Sequence, residues 1–272
     1  MIEKVTLAFF GGFLYASLVS FADTLAERTY YLWFSRERKK ITSKWKKLFE
    51  GRSRCEHCHG YIKAIYLIPI LGYFLSRARC RHCQWPIPIR HVVMEGVFFF
   101  YGAWLFATSQ NHISQLIFAL ALPSLAIIWL TDRLFFLIPD LALLYLLFLG
   151  ILDFSLRGDV FAMDHKKLLT LRATLDLSAS IFWFLLFHLI RLLSGKKLGY
   201  ADATLTLALS LLLGFSRALL LPTLAALLAI LNYFLKHTGK KENRRIPFAP
   251  YLIMSTFFLK MVPERLLLKF FS

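Results

Sequence analysis

The chain has 272 residues, of which 58% are hydrophobic, and its mean hydropathy of +0.58 exceeds that of soluble proteins. Its formal net charge is +17 at pH 7, which in a soluble protein would suggest nucleic acid as a partner. The basic residues, however, cluster in 28–90 and 236–245, between apolar runs. This distribution excludes an ordinary soluble protein and favours a membrane protein that meets anionic lipid over one that binds nucleic acid.

Apolar runs long enough to cross the roughly 30 Å hydrocarbon layer, about 20 residues each, recur along the chain. The first, within MIEKVTLAFFGGFLYASLVSFADTL, has the outline of a secretion signal. No small-residue cleavage site follows it and further spans come later, so we interpret it as a retained first helix. The apolar pattern predicts eight spans, near 4–22, 92–109, 114–131, 134–152, 173–191, 203–215, 218–235 and 246–262.

The residues between the first two spans form the one sizeable polar segment, 23–91. It opens with TYYLWFSRERKKITSKWKKLF, a basic stretch with interspersed aromatic and leucine side chains. Such a stretch is typical of a helix that lies on an anionic membrane surface, and a solvated linker is the alternative. The apolar side chains in question are Trp33, Phe34, Trp45, Leu48 and Phe49.

All four cysteines follow in this segment as two Cys-x-x-Cys pairs, Cys55 with Cys58 and Cys80 with Cys83. Two such turns form a tetrahedral sulfur cage suited to zinc. A disulfide framework is the alternative, but the basic flanks predict a cytoplasmic, reducing location, where this pattern more often binds metal. Four thiolates leave no open coordination position, so the zinc would be structural. Three histidines in the turns are alternative ligands: His57, His59 and His82.

The distribution of Lys and Arg predicts the orientation. Fifteen basic residues in 28–90, one at Arg133, three in 191–197 and five in 236–245 would face the cytoplasm, which is 24 of the 33. Both termini then face outward. The loop around Arg157 and Arg172 would lie outside although it is basic.

Three carboxylates border apolar runs: Asp132 in WLTDRLFFLIPD, Asp140 at the end of that stretch, and Asp202 in LGYADATLTLA. An ionisable group beside a span is costly to place and therefore indicates function. The predicted topology puts Asp132 and Asp202 near the cytoplasmic boundary. Two adjacent carboxylates that share a proton can hydrolyse a peptide bond without a metal, while helix capping is the structural alternative for each residue.

With these features in place, the chain resembles the type IV prepilin peptidases, which mature pilins, type II secretion pseudopilins and competence pseudopilins. The segment SRCEHCHGYIKAIYLIPILGYFLSRARCRHCQWPIPIRHVVMEG is similar to the family's zinc segment, with Pro69, Arg79, Arg90 and Glu95 in the family's order. Asp132 followed by Ile138-Pro139-Asp140 resembles its first aspartate motif. Gly199-Tyr200-Ala201-Asp202 resembles its Gly-x-Gly-Asp motif, and Ile246-Pro247-Phe248-Ala249-Pro250 matches its last helix.

The chain departs from the family pattern at three places. Ala201 replaces the second glycine of Gly-x-Gly-Asp, and Thr204 stands where a lysine is common. The first-helix motif appears as Gly12-Phe13-Leu14-Tyr15, without the family's Asn.

The resemblance implies an all-α, polytopic protein of about eight transmembrane helices with a small cytoplasmic zinc-binding insertion. It implies that Asp132 and Asp202 are the catalytic pair and that Asp140 is a neighbour. The substrates would be prepilin or pseudopilin precursors, cut at the cytoplasmic face of the inner membrane. N-methylation of the new N-terminus, with S-adenosylmethionine as donor, is a second activity of many family members.

The expected organisation is a first transmembrane helix at 1–22, a cytoplasmic zinc-binding segment at 23–91 and a transmembrane peptidase core at 92–272. We expect contact with membrane lipid and no binding of nucleic acid. The alternative function is a non-enzymatic membrane scaffold whose zinc knuckle binds a cytosolic partner or nucleic acid.

Overall fold

A computed structural model describes residues 2–34, 53–55, 57–58, 60–109, 111–160, 166–194, 199–236 and 246–263. The stretch from 35 to 52, with most of the expected interfacial helix, lies outside the described residues. Nine α-helices occur in the described part of the chain: α1 (Ile2–Phe34), α2 (Leu71–Leu75), α3 (Ile89–Thr108), α4 (His112–Phe135), α5 (Asp140–Val160), α6 (Lys166–Leu193), α7 (Tyr200–Leu213), α8 (Phe215–Lys236) and α9 (Ala249–Met261). A short 3₁₀ helix spans Ala64–Leu67.

Each of the eight predicted spans overlaps a helix, although the helix at 134–152 begins only at Asp140 and the helix at 203–215 already ends at Leu213. The prediction of an all-α, polytopic membrane protein is confirmed. Among the described residues, five helices have both the length and the apolar composition to cross a membrane: α1, α3, α4, α6 and α8. The sixth predicted span, α7, has only 14 residues and rises about 21 Å, less than the hydrocarbon thickness.

The chain divides into two compact units, Met1–Ser109 and Gln110–Ser272. In the first unit α1 packs along α3. The helix α1 continues to Phe34, past the expected boundary at residue 22. The expected division into domains at 22 and 91 stays a prediction.

Glycines let α1 and α3 approach closely. A Cβ at Gly102 of α3 would lie 2.5 Å from the carbonyl oxygen of Gly11 and 2.8 Å from the Cβ of Tyr15, which is fully buried. A Cβ at Gly12 would lie 2.8 Å from the carbonyl oxygen of Phe99. Small residues at such a crossing are the usual basis of helix packing in membranes. The first-helix motif therefore contributes to packing.

In the second unit the short helix α7 is the core, because it packs against α5, α6, α8 and α9. Nine of its 14 residues are buried, and they run almost without interruption from Ala203 to Leu213. A helix that is apolar and covered on nearly all sides belongs to the interior of a bundle. The carboxyl end of α7 is consequently held inside the protein, whereas its amino end is open, with Tyr200 exposed.

We predict that Gly102→Ala destabilises the protein, because the new methyl group meets backbone of α1 and overpacking typically costs about 1–3 kcal/mol. Gly96→Ala is the matched control on the same helix, since a Cβ there meets nothing within 4 Å. Thermal unfolding in detergent should show a lower midpoint for Gly102→Ala alone. Equal midpoints for the two variants would contradict the close crossing of α1 and α3.

Candidate functional site

Asp132 is buried in the last turn of α4, with only 6% of its surface exposed. Its Oδ2 accepts a hydrogen bond from the backbone N–H of Ala249 at 3.0 Å. Ala249 is the first residue of α9, where a helix has N–H groups without partners in its own turn. The start of α9, which is the Pro-Phe-Ala-Pro motif, thus fixes one carboxylate oxygen of Asp132.

Asp202 lies in the first turn of α7. A Cβ at Gly199 would lie 2.9 Å from Asp202 Oδ2, and the Gly199 backbone also hydrogen bonds to this carboxylate. The first glycine of the Gly-x-Gly-Asp motif therefore makes room for the aspartate side chain. Thr206, one turn later, donates its hydroxyl to the Asp202 carbonyl at 2.7 Å.

The fold brings Asp132 and Asp202 together although 70 positions separate them in the sequence. The two carboxylates are close enough to repel each other electrostatically. Asp140, by contrast, is exposed in the first turn of α5, where an acidic side chain meets the positive end of the helix dipole. The structure thus gives Asp140 the surroundings of an ordinary helix-start residue.

The four cysteines converge in the first unit, with their Sγ atoms all within 4.8 Å of one another. Cys55 and Cys83 have their sulfurs 3.8 Å apart, and those of Cys58 and Cys80 are 3.9 Å apart. Four sulfurs about 2.3 Å from a tetrahedral zinc would be spaced by about 3.8 Å, whereas a disulfide needs about 2.05 Å. The cysteines are free thiols in an arrangement that could hold a metal ion.

Two similar turns build this cage. In the first, Cys55 N–H donates to the Gly60 carbonyl at 3.0 Å, and in the second, Cys80 N–H donates to the Trp85 carbonyl at 2.9 Å. Backbone hydrogen bonds from Cys83 and His82 lower the pKa of the Cys80 thiol to about 6. The thiolate of Cys80, which is the form that binds metal, is therefore favoured at neutral pH.

The histidines have other contacts. The ring of His57 stacks on Trp85 with centroids 4.2 Å apart, and His82 Nε2 lies 3.2 Å from the Tyr61 carbonyl oxygen. Neither belongs to the group of metal-binding atoms in the described residues. The third histidine, His59, lies outside the described residues.

Glu95 ties the cysteine segment to α3, because its Oε2 accepts the backbone N–H of Ile70 at 2.7 Å. Ile70 has a φ of 63°, and a positive φ is rare for a β-branched residue. This hydrogen bond offers a physical reason for a glutamate at this place in the motif.

Sequence reasoning missed a second group of charged side chains in the helical bundle. Asp153 and Arg157 were expected in or beside an outside loop, but both lie on α5, which continues to Val160. Asp153 is only 1% exposed and Lys260 of α9 only 4%. Their depth was not visible in the sequence because each stands alone among apolar residues near a predicted span end.

Comparisons with known proteins agree with the arrangement of motifs. Residues 13–109 match the family described as Bacterial Peptidase A24 N-terminal domain. A prepilin leader peptidase/N-methyltransferase of Legionella pneumophila is 30% identical over 217 residues, which is 76% of this chain and 71% of the relative. One of Aeromonas hydrophila is 30% identical over 215 residues, 76% of this chain and 70% of the relative. No solved structure matches the chain.

We predict that the purified protein holds about one zinc ion per chain, since four thiolates satisfy one tetrahedral ion. Cys80→Ser should lose the metal, whereas His57→Ala should keep it because this ring stacks on Trp85 instead. Elemental analysis with thiol counting checks both variants. Metal-free protein with its cysteines paired as disulfides would refute the zinc assignment.

Proposed function

Because this chain belongs to the prepilin leader peptidase/N-methyltransferase family, we propose that it is an aspartyl endopeptidase that removes the leader from prepilin-like or pseudopilin precursors. The single observation that carries this proposal is the meeting of Asp132 and Asp202 inside the helical bundle. Two carboxylates that lie close enough to interact, one of them fixed by a backbone N–H, can share the single proton that this chemistry requires.

In the proposed reaction the two carboxylates share one proton. The ionised member removes a proton from a water molecule, which attacks the scissile carbonyl carbon, while the protonated member hydrogen bonds to the carbonyl oxygen. Collapse of the tetrahedral intermediate breaks the C–N bond, and the leaving amine takes up a proton from the pair. The Ala249 N–H and the close approach at Gly199 would keep the carboxylates in position during these steps.

The metal has a structural role in this proposal. The residues present fit zinc, because all four sulfurs lie within 4.8 Å of one another and two pairs have the spacing of a tetrahedral four-thiolate site. The ion would be bound by Cys55, Cys58, Cys80 and Cys83 and would fix the two turns of the segment between α1 and α3. A complete sulfur shell leaves no position for substrate or water.

We propose that the active site opens near the cytoplasmic face. Asp132 is in the last turn of α4 and Asp202 in the first turn of α7, and the positive-inside count places these helix ends inside. A precursor keeps its basic leader in the cytoplasm, so the bond to be cut lies within a few residues of the inner interface. Leader and enzyme surface carry the same charge sign, which favours docking through the apolar substrate helix.

N-methylation of the new N-terminus forms part of the relatives' name, and we propose it as a second activity with S-adenosylmethionine as the methyl donor. We assign no residue to the binding of this donor. The substrates would be precursors of pili, of type II secretion or of competence pseudopili, and the surroundings would be inner-membrane lipid. We expect no nucleic acid partner.

The catalytic assignment predicts that Asp132→Asn and Asp202→Asn each abolish processing, because the amide cannot cycle a proton. Asp140→Asn is the matched control and should retain processing, since its carboxylate is exposed at a helix start. Conversion of precursor by purified variants in detergent is the measurement. If Asp132 or Asp202 could be replaced by Asn at no cost in rate, a scaffold function would be favoured.

If α4 runs from the outer to the cytoplasmic face, cysteines introduced near its two ends should differ in their reaction with an external thiol reagent. Ser109→Cys precedes α4 at its outer end, and Arg133→Cys is exposed in its last turn. In intact cells a membrane-impermeant thiol reagent should label position 109, and it should reach position 133 only after lysis. The opposite pattern would place the aspartate pair at the outer face and contradict the proposal.

A further inference from the structure

The helix α7 ends inside the bundle, at Gly214, and α8 begins at the next residue. Gly214 has a φ of +80°, which favours glycine, and a Cβ there would lie 2.7 Å from Arg157 Nη1. A helix end leaves backbone carbonyls without partners, and a helix start leaves N–H groups without partners. At membrane depth such a break is tolerated only where protein groups satisfy the backbone.

Three charged side chains satisfy the backbone at this break. Arg157 Nη2 donates to the Leu211 carbonyl, and Lys260 Nζ donates to the Leu212 carbonyl at 3.2 Å. On the other side of the break, the Phe215 N–H donates to Asp176 Oδ1 at 2.6 Å. The carboxyl end of α7 is thus held by α5 and α9.

A fourth charged residue, Asp153, links these groups. Its Oδ2 lies 2.8 Å from Arg157 Nη2 and accepts the hydroxyl of Ser114 at 3.2 Å. The Ser114 hydroxyl oxygen in turn accepts a hydrogen bond from Lys260 Nζ at 3.2 Å. We call Asp153, Arg157, Asp176 and Lys260 the charge cluster.

We propose that Arg157 and Lys260 are positioning residues for Asp202, an inference that rests on the proposed function. They contact the carboxyl end of α7, about 15 Å along the helix from the aspartate in its first turn. A packed helix moves as one body, so holding its last carbonyls fixes both its axial position and its rotation. The charge cluster therefore sets where the Asp202 carboxylate lies relative to Asp132.

Stability alone gives a weak reason for such a cluster. A buried ion pair usually contributes little more than well-packed apolar side chains would, because both charges lose their hydration. A hydrogen bond from Lys260 to one particular carbonyl holds α7 at one axial position relative to α9. Apolar contacts alone would allow the two helices to slide past each other. Catalysis depends on this axial position, because displacing a catalytic group by about 1 Å can lower the rate by about 100-fold.

The test compares Lys260→Met with Lys260→Arg and with Arg217→Met in purified, full-length protein. Lys260→Met removes the donor to the Leu212 carbonyl, and Lys260→Arg restores a donor. Arg217→Met is the matched control, because Arg217 of α8 donates to the Val262 carbonyl at 2.9 Å, beyond the end of α9. The readouts are kcat and KM for a precursor, thermal midpoint, and hydrogen exchange of the amides at the start of α7.

We expect Lys260→Met to lower kcat by about 10- to 100-fold with KM changed less than about twofold, and to speed exchange at the start of α7. Lys260→Arg should recover most of kcat. Arg217→Met should keep kcat near the parental value even if it lowers the thermal midpoint as much as Lys260→Met does.

If Lys260→Met does not accumulate as folded protein in the membrane, the double variant Asp153→Asn with Lys260→Met takes its place, because it removes one charge of each sign. This double variant should accumulate and show the same loss of kcat. A parental kcat in Lys260→Met or in the double variant would overturn the positioning role. So would equal losses of kcat in Lys260→Met and Arg217→Met at equal thermal midpoints. Neither result would affect the catalytic assignment, which fails if Asp132→Asn or Asp202→Asn remains active.

Discussion

The second unit of this protein has to stabilise the buried carboxylate of Asp132, and this requirement constrains how its helices pack. A carboxylate inside a membrane protein is costly unless protein groups replace its water. Here the replacement includes a backbone N–H at the first residue of α9, 3.0 Å from Oδ2. The end of α4 and the start of α9 must therefore meet, and the start of α7 brings Asp202 to the same place.

The same constraint recurs at the other end of α7. This helix is too short to cross the membrane, so its last carbonyls fall inside the bundle, where Arg157 and Lys260 replace water. The core helix is held at one end by charged side chains and carries the Asp202 carboxylate at the other. Its almost complete burial leaves little freedom for either end to move alone.

The sequence predicted the helices and the cysteine cage well, because both signals are local. A run of about 20 apolar residues or two Cys-x-x-Cys turns can be recognised without knowledge of what they contact. It could not show that Asp153 and Lys260 approach the same serine, since that contact depends on how α4, α5 and α9 cross. Nor could the sequence show which group donates a hydrogen bond to Asp132, because the donor is a backbone N–H and every residue except proline has one.

Some residues of the site were identified by the family resemblance, and the structure then showed what they contact. The resemblance supplied Glu95 and the Gly199 motif without physical reasons, and the structure offers a reason for each. Glu95 accepts the backbone N–H of Ile70, whose φ is positive, and Gly199 leaves room for the aspartate carboxylate. Charged residues outside those motifs had no such guide, and the loop assignment of Arg157 was wrong for that reason.

The proposed reaction requires Asp132 and Asp202 to act together on the scissile bond. An epoxide-bearing peptide that mimics the cleavage site tests it most directly, because a carboxylate poised at the reacting carbon opens the epoxide and forms an ester. Peptide mapping by mass spectrometry should locate one ester per chain, on Asp132 or Asp202, with processing lost in proportion to labelling. Labelling confined to Asp140 or another exposed carboxylate, or complete labelling with processing intact, would contradict the account.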